Sequence, residues 1–129
     1  MKNSNSIFLS LGSNIGDKES NLIDAVRLIS NFTKIIKISS VYKTEPLLYK
    51  EQDDFFNIVI EIEYQETARN LLVKIKEIET QMGRKKNFRY GPRLIDIDII
   101  FFKGELFGSI TPAFKFSFTF KTITSTFPA

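Results

Sequence analysis

Two carboxylates and a group of arginines lie close together in the second half of the chain. Asp96 and Asp98 flank Ile97 in the apolar segment DIDIIFF. A β-strand would project both carboxylates from one face, with their Cα atoms about 7 Å apart. Carboxylate oxygens are ligands that Mg²⁺ prefers, usually one or two of them beside waters and substrate phosphates. The pair predicts a magnesium site, although a bare Asp-x-Asp is also typical of a solvent-facing edge strand.

A cationic segment directly precedes these carboxylates. Residues 83–95 contain five basic residues and no acidic one, and three of them are Arg84, Arg89 and Arg93. Arginine binds phosphate oxygens bidentately, and phosphoryl transfer depends mainly on positioning and on neutralising charge. A solvated surface loop would explain the basic segment alone. Cations beside carboxylate ligands favour a nucleoside triphosphate site.

The composition excludes several kinds of chemistry. The 129 residues include no cysteine and no histidine, which removes disulfides, thiolate and imidazole metal ligands, and a histidine base. With 43% hydrophobic residues, 26% charged residues and a net charge of +3, the chain is typical of globular proteins. It has no signal-peptide core and no apolar run of membrane-spanning length, so we expect a cytoplasmic protein without membrane contact.

Hydrophobic periodicity places these residues on a small α+β fold. Strands are predicted at 6–11, 35–42, 55–64 and 96–102, and helices at 17–30 and 67–82. This order, β-α-β-β-α-β, is typical of a ferredoxin-like sandwich, in which helices cover one face of an antiparallel sheet. We expect Gly12, Ser13 and Asn14 to serve the turn after the first strand through their backbone freedom.

The end of the chain differs from the rest in composition. Residues 104–129 contain only three charged residues but six phenylalanines, and Phe114 to Phe120 alternates strictly, FKFSFTF. Such alternation is typical of a terminal strand and, where it is unpaired, of association between chains. We therefore divide the protein into a domain at 1–103 and a divergent Phe/Ser/Thr-rich tail at 104–129.

The segment GRKKNFRYGPRLIDIDIIFF resembles the signature of the 6-hydroxymethyl-7,8-dihydropterin pyrophosphokinases, in which an arginine-rich loop leads through Arg-Trp-Gly-Pro-Arg to an Asp-x-Asp strand. Further similar segments follow in the family's order: Gly12-Ser13-Asn14, SSVYKTEPL at 39–47, and Phe55-Phe56-Asn57. The resemblance covers about residues 6–103. It implies transfer of a pyrophosphoryl group from ATP to a hydroxymethyl-dihydropterin, a step of folate biosynthesis.

The resemblance implies two Mg²⁺ ions on Asp96 and Asp98, bridging the phosphates of ATP as co-substrate, with Arg84, Arg89 and Arg93 on the triphosphate. It adds as nucleotide contacts Glu79, Tyr90 in the place of the usual tryptophan, and Ile99. A weak surface pair of Glu79 with Lys76 or Lys86 is the alternative interpretation.

On the pterin side, the resemblance implies a pocket lined by Thr44, Pro46 and Leu47, with Phe55 stacked on the ring and Asn57 paired to its polar edge. Each residue also has an ordinary structural interpretation. Phe55 could belong to the core, Asn57 could cap a strand end, and residues 44–46 could form a plain turn. Their occurrence in family order beside the aspartate strand favours the pocket.

Three interpretations stay open at this point. The chain could be an active pyrophosphokinase, a non-catalytic remnant that binds pterin or nucleotide, or an RNA-binding ferredoxin-like module, suggested by a pI of about 9.1 and by aromatic strands. The RNA interpretation lacks an RNP1-like strand and sets Asp96 and Asp98 against a polyanion. In the family, a segment that contains His-Pro follows the aspartate strand, and this sequence, which has no histidine, has no counterpart of it. We expect small-molecule substrates, no nucleic acid and a monomer.

Overall fold

The computed structural model describes residues 5–46, 51–83, 93–106 and 121–122. Its elements are β1 (Ile7–Ser13), α1 (Lys18–Ser30), β2 (Lys34–Ile38), β3 (Tyr42–Thr44), β4 (Phe55–Glu63), α2 (Ala68–Gln81), β5 (Asp96–Phe102), β6 (Glu105–Leu106) and β7 (Lys121–Thr122). The described strands form one sheet in the order β6-β5-β1-β4-β3-β7, and β2 also pairs with β4. Every strand pairing is antiparallel.

Both helices connect strands that are not neighbours in the sheet. α1 joins β1 to β2, and β4 lies between these two strands, while α2 joins β4 to β5 with β1 between them. α1 packs on β1 and β4, α2 packs on β5, and the helices contact each other. Two split β-α-β units in an antiparallel sheet are the ferredoxin-like arrangement. The predicted α+β fold is therefore confirmed.

Alternating apolar residues on the central strands bury the face of the sheet that carries the helices. In one row across the sheet, Leu9 of β1 lies opposite Ile60 of β4 and Ile99 of β5, and all three are buried. The buried strand residues of this core are Ile7, Leu9, Leu11, Ile58, Ile60, Ile62, Ile97 and Ile99. Because side chains alternate between faces, the residues between them point away from the helices.

Each helix starts at a side-chain cap and buries one apolar stripe. Asp17 Oδ1 accepts a hydrogen bond from the Ser20 N–H at 3.1 Å, and Thr67 Oγ1 accepts one from the Asn70 N–H at 3.1 Å. The buried apolar residues are Leu22, Ala25 and Ile29 in α1 and Leu71, Ile75 and Ile78 in α2. Among the described residues, neither helix is long and apolar enough to cross a membrane.

The single strand predicted at 35–42 is interrupted, and the reason lies at Ser39. Its N–H donates to the Val59 carbonyl at 2.9 Å, and its Oγ accepts from the Val59 N–H at 2.9 Å. The hydroxyl thus takes the place of a backbone acceptor, and the ladder breaks between β2 and β3. β3 resumes in a register shifted by one residue, which sets Thr44 opposite Phe55.

Two short strands after residue 103 join the sheet. β6 pairs with β5 at one edge of the sheet, and β7 pairs with β3 at the opposite edge. The alternating segment predicted as a strand at 114–120 lies outside the described residues. The division of the chain into a domain at 1–103 and a tail at 104–129 stays a prediction.

Candidate active site

The two aspartates lie on the face of the sheet that is opposite the helices. Along β5 the half-buried Asp96 and Asp98 alternate with Ile97 and Ile99, whose side chains are buried in the core. Alternation in the strand therefore directs both carboxylates away from the helices and to the same side. We call this side of the sheet the open face.

Small residues of β1 lie beside the two aspartates on the open face. Gly12 is paired with Asp96, and Ser10 is paired with Asp98. Glycine has no side chain and serine has a short one, so β1 places no large side chain beside the carboxylates. The described residues contain no group of three or more acidic, histidine or cysteine side chains that could hold a metal ion. A cation on the two aspartates would therefore need ligands from phosphates and water, as Mg²⁺ commonly uses.

A row of three residues crosses the open face from the predicted pterin side to the predicted metal side. Gly12 in β1 is paired with Asn57 of β4 on one side and with Asp96 of β5 on the other. Neighbouring strands are about 4.8 Å apart, so the backbones of Asn57 and Asp96 are about 10 Å apart. Gly12 lies between them on the central strand of the row.

Gly12 is needed for space, and the prediction that it serves a turn is wrong. It lies inside β1, and it is not among the described glycines with positive φ. A Cβ added to Gly12 would lie 2.8 Å from Asn57 Oδ1 and 3.5 Å from Phe55 Cδ1. The amide of Asn57 therefore rests directly over the Gly12 backbone, where only glycine leaves it room.

The predicted pterin residues that the structure describes come together at the start of β4. Asn57 Nδ2 donates to Thr44 Oγ1 at 2.7 Å, and both residues are buried. Phe55 lies opposite Thr44, half-buried on the open face and outside the core cluster. Pro46 is buried, and Leu47 lies outside the described residues.

These positions disagree with the ordinary structural interpretations of Asn57, Thr44 and Phe55. Asn57 is the third residue of β4 and is paired on both sides, with Gly12 and with Tyr42, so it does not cap a strand end. Thr44 belongs to β3 and not to a plain turn. Phe55 is absent from the buried cluster that forms the core. All three face the same side as the aspartates.

Glu79 of α2 is buried, although its alternative interpretation placed it on the surface. The residue is 1% exposed, and Oε2 accepts a hydrogen bond from the Ile97 N–H at 2.9 Å. Oε1 is 3.5 Å from Nζ of the exposed Lys76, so the surface pair describes only one side of the carboxylate. Because Ile97 lies between the two aspartates, Glu79 fixes the segment of β5 that presents them.

The structure describes two of the remaining predicted nucleotide residues, Arg93 and Ile99. Arg93 is half-buried three residues before β5. The Ile99 side chain is buried in the core, and its backbone N–H, like that of Ile97, points to the outer edge of β5. Arg84, Arg89 and Tyr90 lie outside the described residues.

Three residues near the site carry contacts that sequence reasoning missed. They are Gly12, whose missing side chain accommodates Asn57, and the hydrogen-bonded pair Asn14 and Gln52, whose side chains are 2.6 Å apart. The order of Gly-Ser-Asn, matched to the family, was one signal in the sequence. A glycine within an apolar strand pattern, which often marks close approach of another group, would also have indicated Gly12.

Comparison with known proteins gives the family. A family model described as 7,8-dihydro-6-hydroxymethylpterin-pyrophosphokinase matches residues 8–124, so the chain belongs to this family. The resemblance inferred from the arginine segment and the aspartate strand is confirmed.

Curated relatives carry names of the same kind. The 2-amino-4-hydroxy-6-hydroxymethyldihydropteridine pyrophosphokinase of Aquifex aeolicus is 40% identical over 100 residues, which are 78% of this chain and 62% of that protein. The enzyme of the same name from Bacillus subtilis is 39% identical over 103 residues, 78% of this chain and 62% of that protein. The folic acid synthesis protein fol1 of Schizosaccharomyces pombe is 38% identical over 104 residues, 79% of this chain and 14% of that protein. The alignments thus span about three fifths of the two bacterial relatives.

Proposed function

We propose that the protein transfers a pyrophosphoryl group from ATP to 6-hydroxymethyl-7,8-dihydropterin, giving AMP and the pterin diphosphate in folate biosynthesis. One observation carries the proposal beyond family membership. The row Asn57, Gly12, Asp96 sets an amide suited to a pterin edge about 10 Å from a carboxylate suited to a metal–phosphate group. Gly12 lies between them in the row and adds no side chain of its own.

The aspartates fit Mg²⁺ as the cofactor. Asp96 and Asp98 share one face, are half-buried, and have only Gly12 and Ser10 beside them on β1. Their oxygens are ligands that Mg²⁺ prefers, and two ions there would neutralise and orient the phosphate oxygens. The negative charge of both carboxylates is matched to a cation and would repel phosphates in its absence.

The nucleotide would lie along the outer edge of β5. The N–H of Ile99 points to that edge, where the buried Glu79 already holds the N–H of Ile97. Arg93 precedes β5 by three residues on the Asp96 side, and we assign it to the phosphate chain held by the aspartates. Arg84, Arg89 and Tyr90 are assigned to ATP through the family resemblance.

The pterin would bind on β3 and β4. Asn57 keeps its Oδ1 over Gly12 while its Nδ2 is held by Thr44. A side-chain amide fixed in this way can recognise a heterocycle that offers both donors and acceptors. Phe55 supplies a half-buried ring for stacking on the open face. Pro46 and Leu47 would complete the pocket.

In the reaction, the hydroxymethyl oxygen of the pterin attacks the β-phosphorus of ATP. A new O–P bond forms, the bond from the β-phosphorus to the oxygen of the α-phosphate breaks, and AMP leaves. The hydroxyl proton passes to water or to a phosphate oxygen. The protein acts mainly by orientation, which alone contributes about 7–11 kcal/mol in favourable cases, and by neutralising charge on the transferred group.

The proposal extends to the setting of the enzyme. We place it in the cytoplasm as a monomer that acts on small molecules and does not bind nucleic acid. The two carboxylates of β5 on the open face would repel a polyanion laid across the sheet. Light scattering of the purified chain tests whether it is a monomer. A binding assay with single-stranded RNA tests whether it binds nucleic acid.

The decisive experiment incubates the purified chain with Mg²⁺, ATP and 6-hydroxymethyl-7,8-dihydropterin and measures AMP and pterin diphosphate. We expect both products in equal amounts, and neither when Mg²⁺ or pterin is omitted. Binding of both substrates without any AMP would reject the transfer reaction and leave a protein that only binds these ligands.

A further inference from the structure

Asn14 is a buried polar residue at the end of β1 for which the turn gives no reason. It is 3% exposed and directly follows Ser13, the last residue of β1. Lys103 is the only described residue other than glycine with positive φ, so Asn14 is not in the left-handed conformation that favours asparagine in turns. The prediction that it serves the turn through backbone freedom is therefore wrong.

The Asn14 side chain joins two segments that are far apart in the sequence. Oδ1 accepts a hydrogen bond from the Arg93 N–H at 2.7 Å, and the Asn14 N–H donates to the Arg93 carbonyl at 3.0 Å. Nδ2 donates to Gln52 Oε1 at 2.6 Å and to the Asp53 carbonyl at 3.1 Å. One amide thus makes three hydrogen bonds.

These two segments lead to the two halves of the proposed site. Arg93 is three residues before Asp96, at the entrance to the aspartate strand, and Asp53 is two residues before Phe55, at the entrance to the pterin strand. Only asparagine and glutamine side chains offer a carbonyl acceptor and an amide donor of two protons. Asparagine has the shorter of these side chains, which suits a short connection between backbone segments.

We infer that Asn14 is a positioning residue that holds the phosphate-side segment at Arg93 and the pterin-side segment at Gln52 and Asp53 in one fixed relation. This inference rests on the proposed function, since it assigns the two segments to two substrates. Transfer between two bound substrates depends steeply on their relative position, and a displacement of about 1 Å can cost about 10²-fold in rate. Asn14 touches neither reacting group and acts through its hydrogen-bonded partners.

Kinetics of Asn14→Ala and Gln52→Ala test the inference, with Asn21→Ala as the matched control. Asn21 Nδ2 donates to Ser13 Oγ and to the Ile15 carbonyl, so it supports the same turn without contacting Arg93 or Gln52. We expect kcat to fall by about 10–100-fold in Asn14→Ala and less in Gln52→Ala, with each KM within about threefold. The control should keep its kcat. A raised KM with unchanged kcat in Asn14→Ala, or an equal loss of kcat in the control, would overturn the inference.

Amide hydrogen exchange of the ligand-free protein separates this inference from the proposed function. If Asn14 links the two segments, Gln52→Ala should accelerate exchange at the Arg93 amide, because Gln52 holds the Asn14 side chain that accepts from this amide, and Asn21→Ala should not. Unchanged exchange at Arg93 in Gln52→Ala rejects the link even if the enzyme is active. Accelerated exchange in a chain that makes no AMP supports the link and rejects only the transfer reaction.

Discussion

The two faces of the same strands differ completely in what their residues do. On the helix side, Leu11, Ile58 and Ile97 form one fully buried apolar row. One residue further along, Gly12, Asn57 and Asp96 form a row of small and polar groups on the open face. Because side chains alternate between the two faces, one strand supplies both core residues and site residues. Substitutions at adjacent positions should therefore affect different properties, stability on the helix side and ligand binding or turnover on the open face.

Ile97→Ala should have the largest effect, and on stability alone. Removing most of a fully buried side chain leaves a cavity between the sheet and the helices, which costs about 2–5 kcal/mol of unfolding free energy. Urea denaturation measures this loss. The folded fraction should bind Mg²⁺ and ATP as the parent protein does, because the aspartates on either side keep their orientation. Loss of nucleotide affinity in fully folded Ile97→Ala would break the comparison.

Asp98→Asn should have the converse effect. The amide keeps the shape of the side chain but lacks the charge that a cation requires, so turnover should fall by about 10²–10³-fold and magnesium-dependent ATP binding should be lost. Calorimetry and the AMP assay measure both. Asp24→Asn on the exposed side of α1 is the control and should change neither. Unchanged magnesium-dependent affinity in Asp98→Asn would contradict the metal site.

Glu79→Ala sharpens the comparison because Glu79 connects the helix side to the aspartate strand. Its loss leaves the buried Ile97 N–H without its acceptor, at a cost of about 1–3 kcal/mol in unfolding free energy. Lys76→Ala removes only the exposed partner and should cost about 0.5 kcal/mol or less. Denaturation curves of the two variants decide. Equal losses of unfolding free energy in the two variants would show that Glu79 contributes only its weak surface pair with Lys76.

Gly12→Ala should have the smallest effect and should act on pterin binding. The new Cβ would displace the Asn57 amide from its position at Thr44, which we expect to weaken pterin affinity about tenfold with little change in stability. Fluorescence titration with the pterin measures this affinity.

A double-mutant cycle with Asn57→Ala supplies the control for Gly12→Ala. Once the Asn57 amide is absent, the added methyl group of Gly12→Ala has nothing to displace and should cost nothing further. Additive losses of affinity would show that the methyl group acts by some other route than Asn57.

Hydrophobic periodicity was enough to predict most of the fold. The helical periodicity at 17–30 and 67–82 and the alternation in β4 and β5 are local signals, and the structure has these elements where the sequence indicates. The break between β2 and β3 was not predictable in this way. It depends on the two hydrogen bonds between Ser39 and Val59, which are twenty residues apart, and no local pattern indicates such a partner.

The sequence by itself determined the family, the order of the elements and the face on which Asp96 and Asp98 lie, because motif spacing and the two-residue repeat of a strand are properties of contiguous residues. Only the tertiary structure decided that Gly12 makes room for Asn57, that Glu79 is buried against β5, and that Asn14 joins Arg93 to Gln52. The physical reason is that each of these contacts depends on strand pairing or helix packing, which brings together residues that are far apart in the sequence.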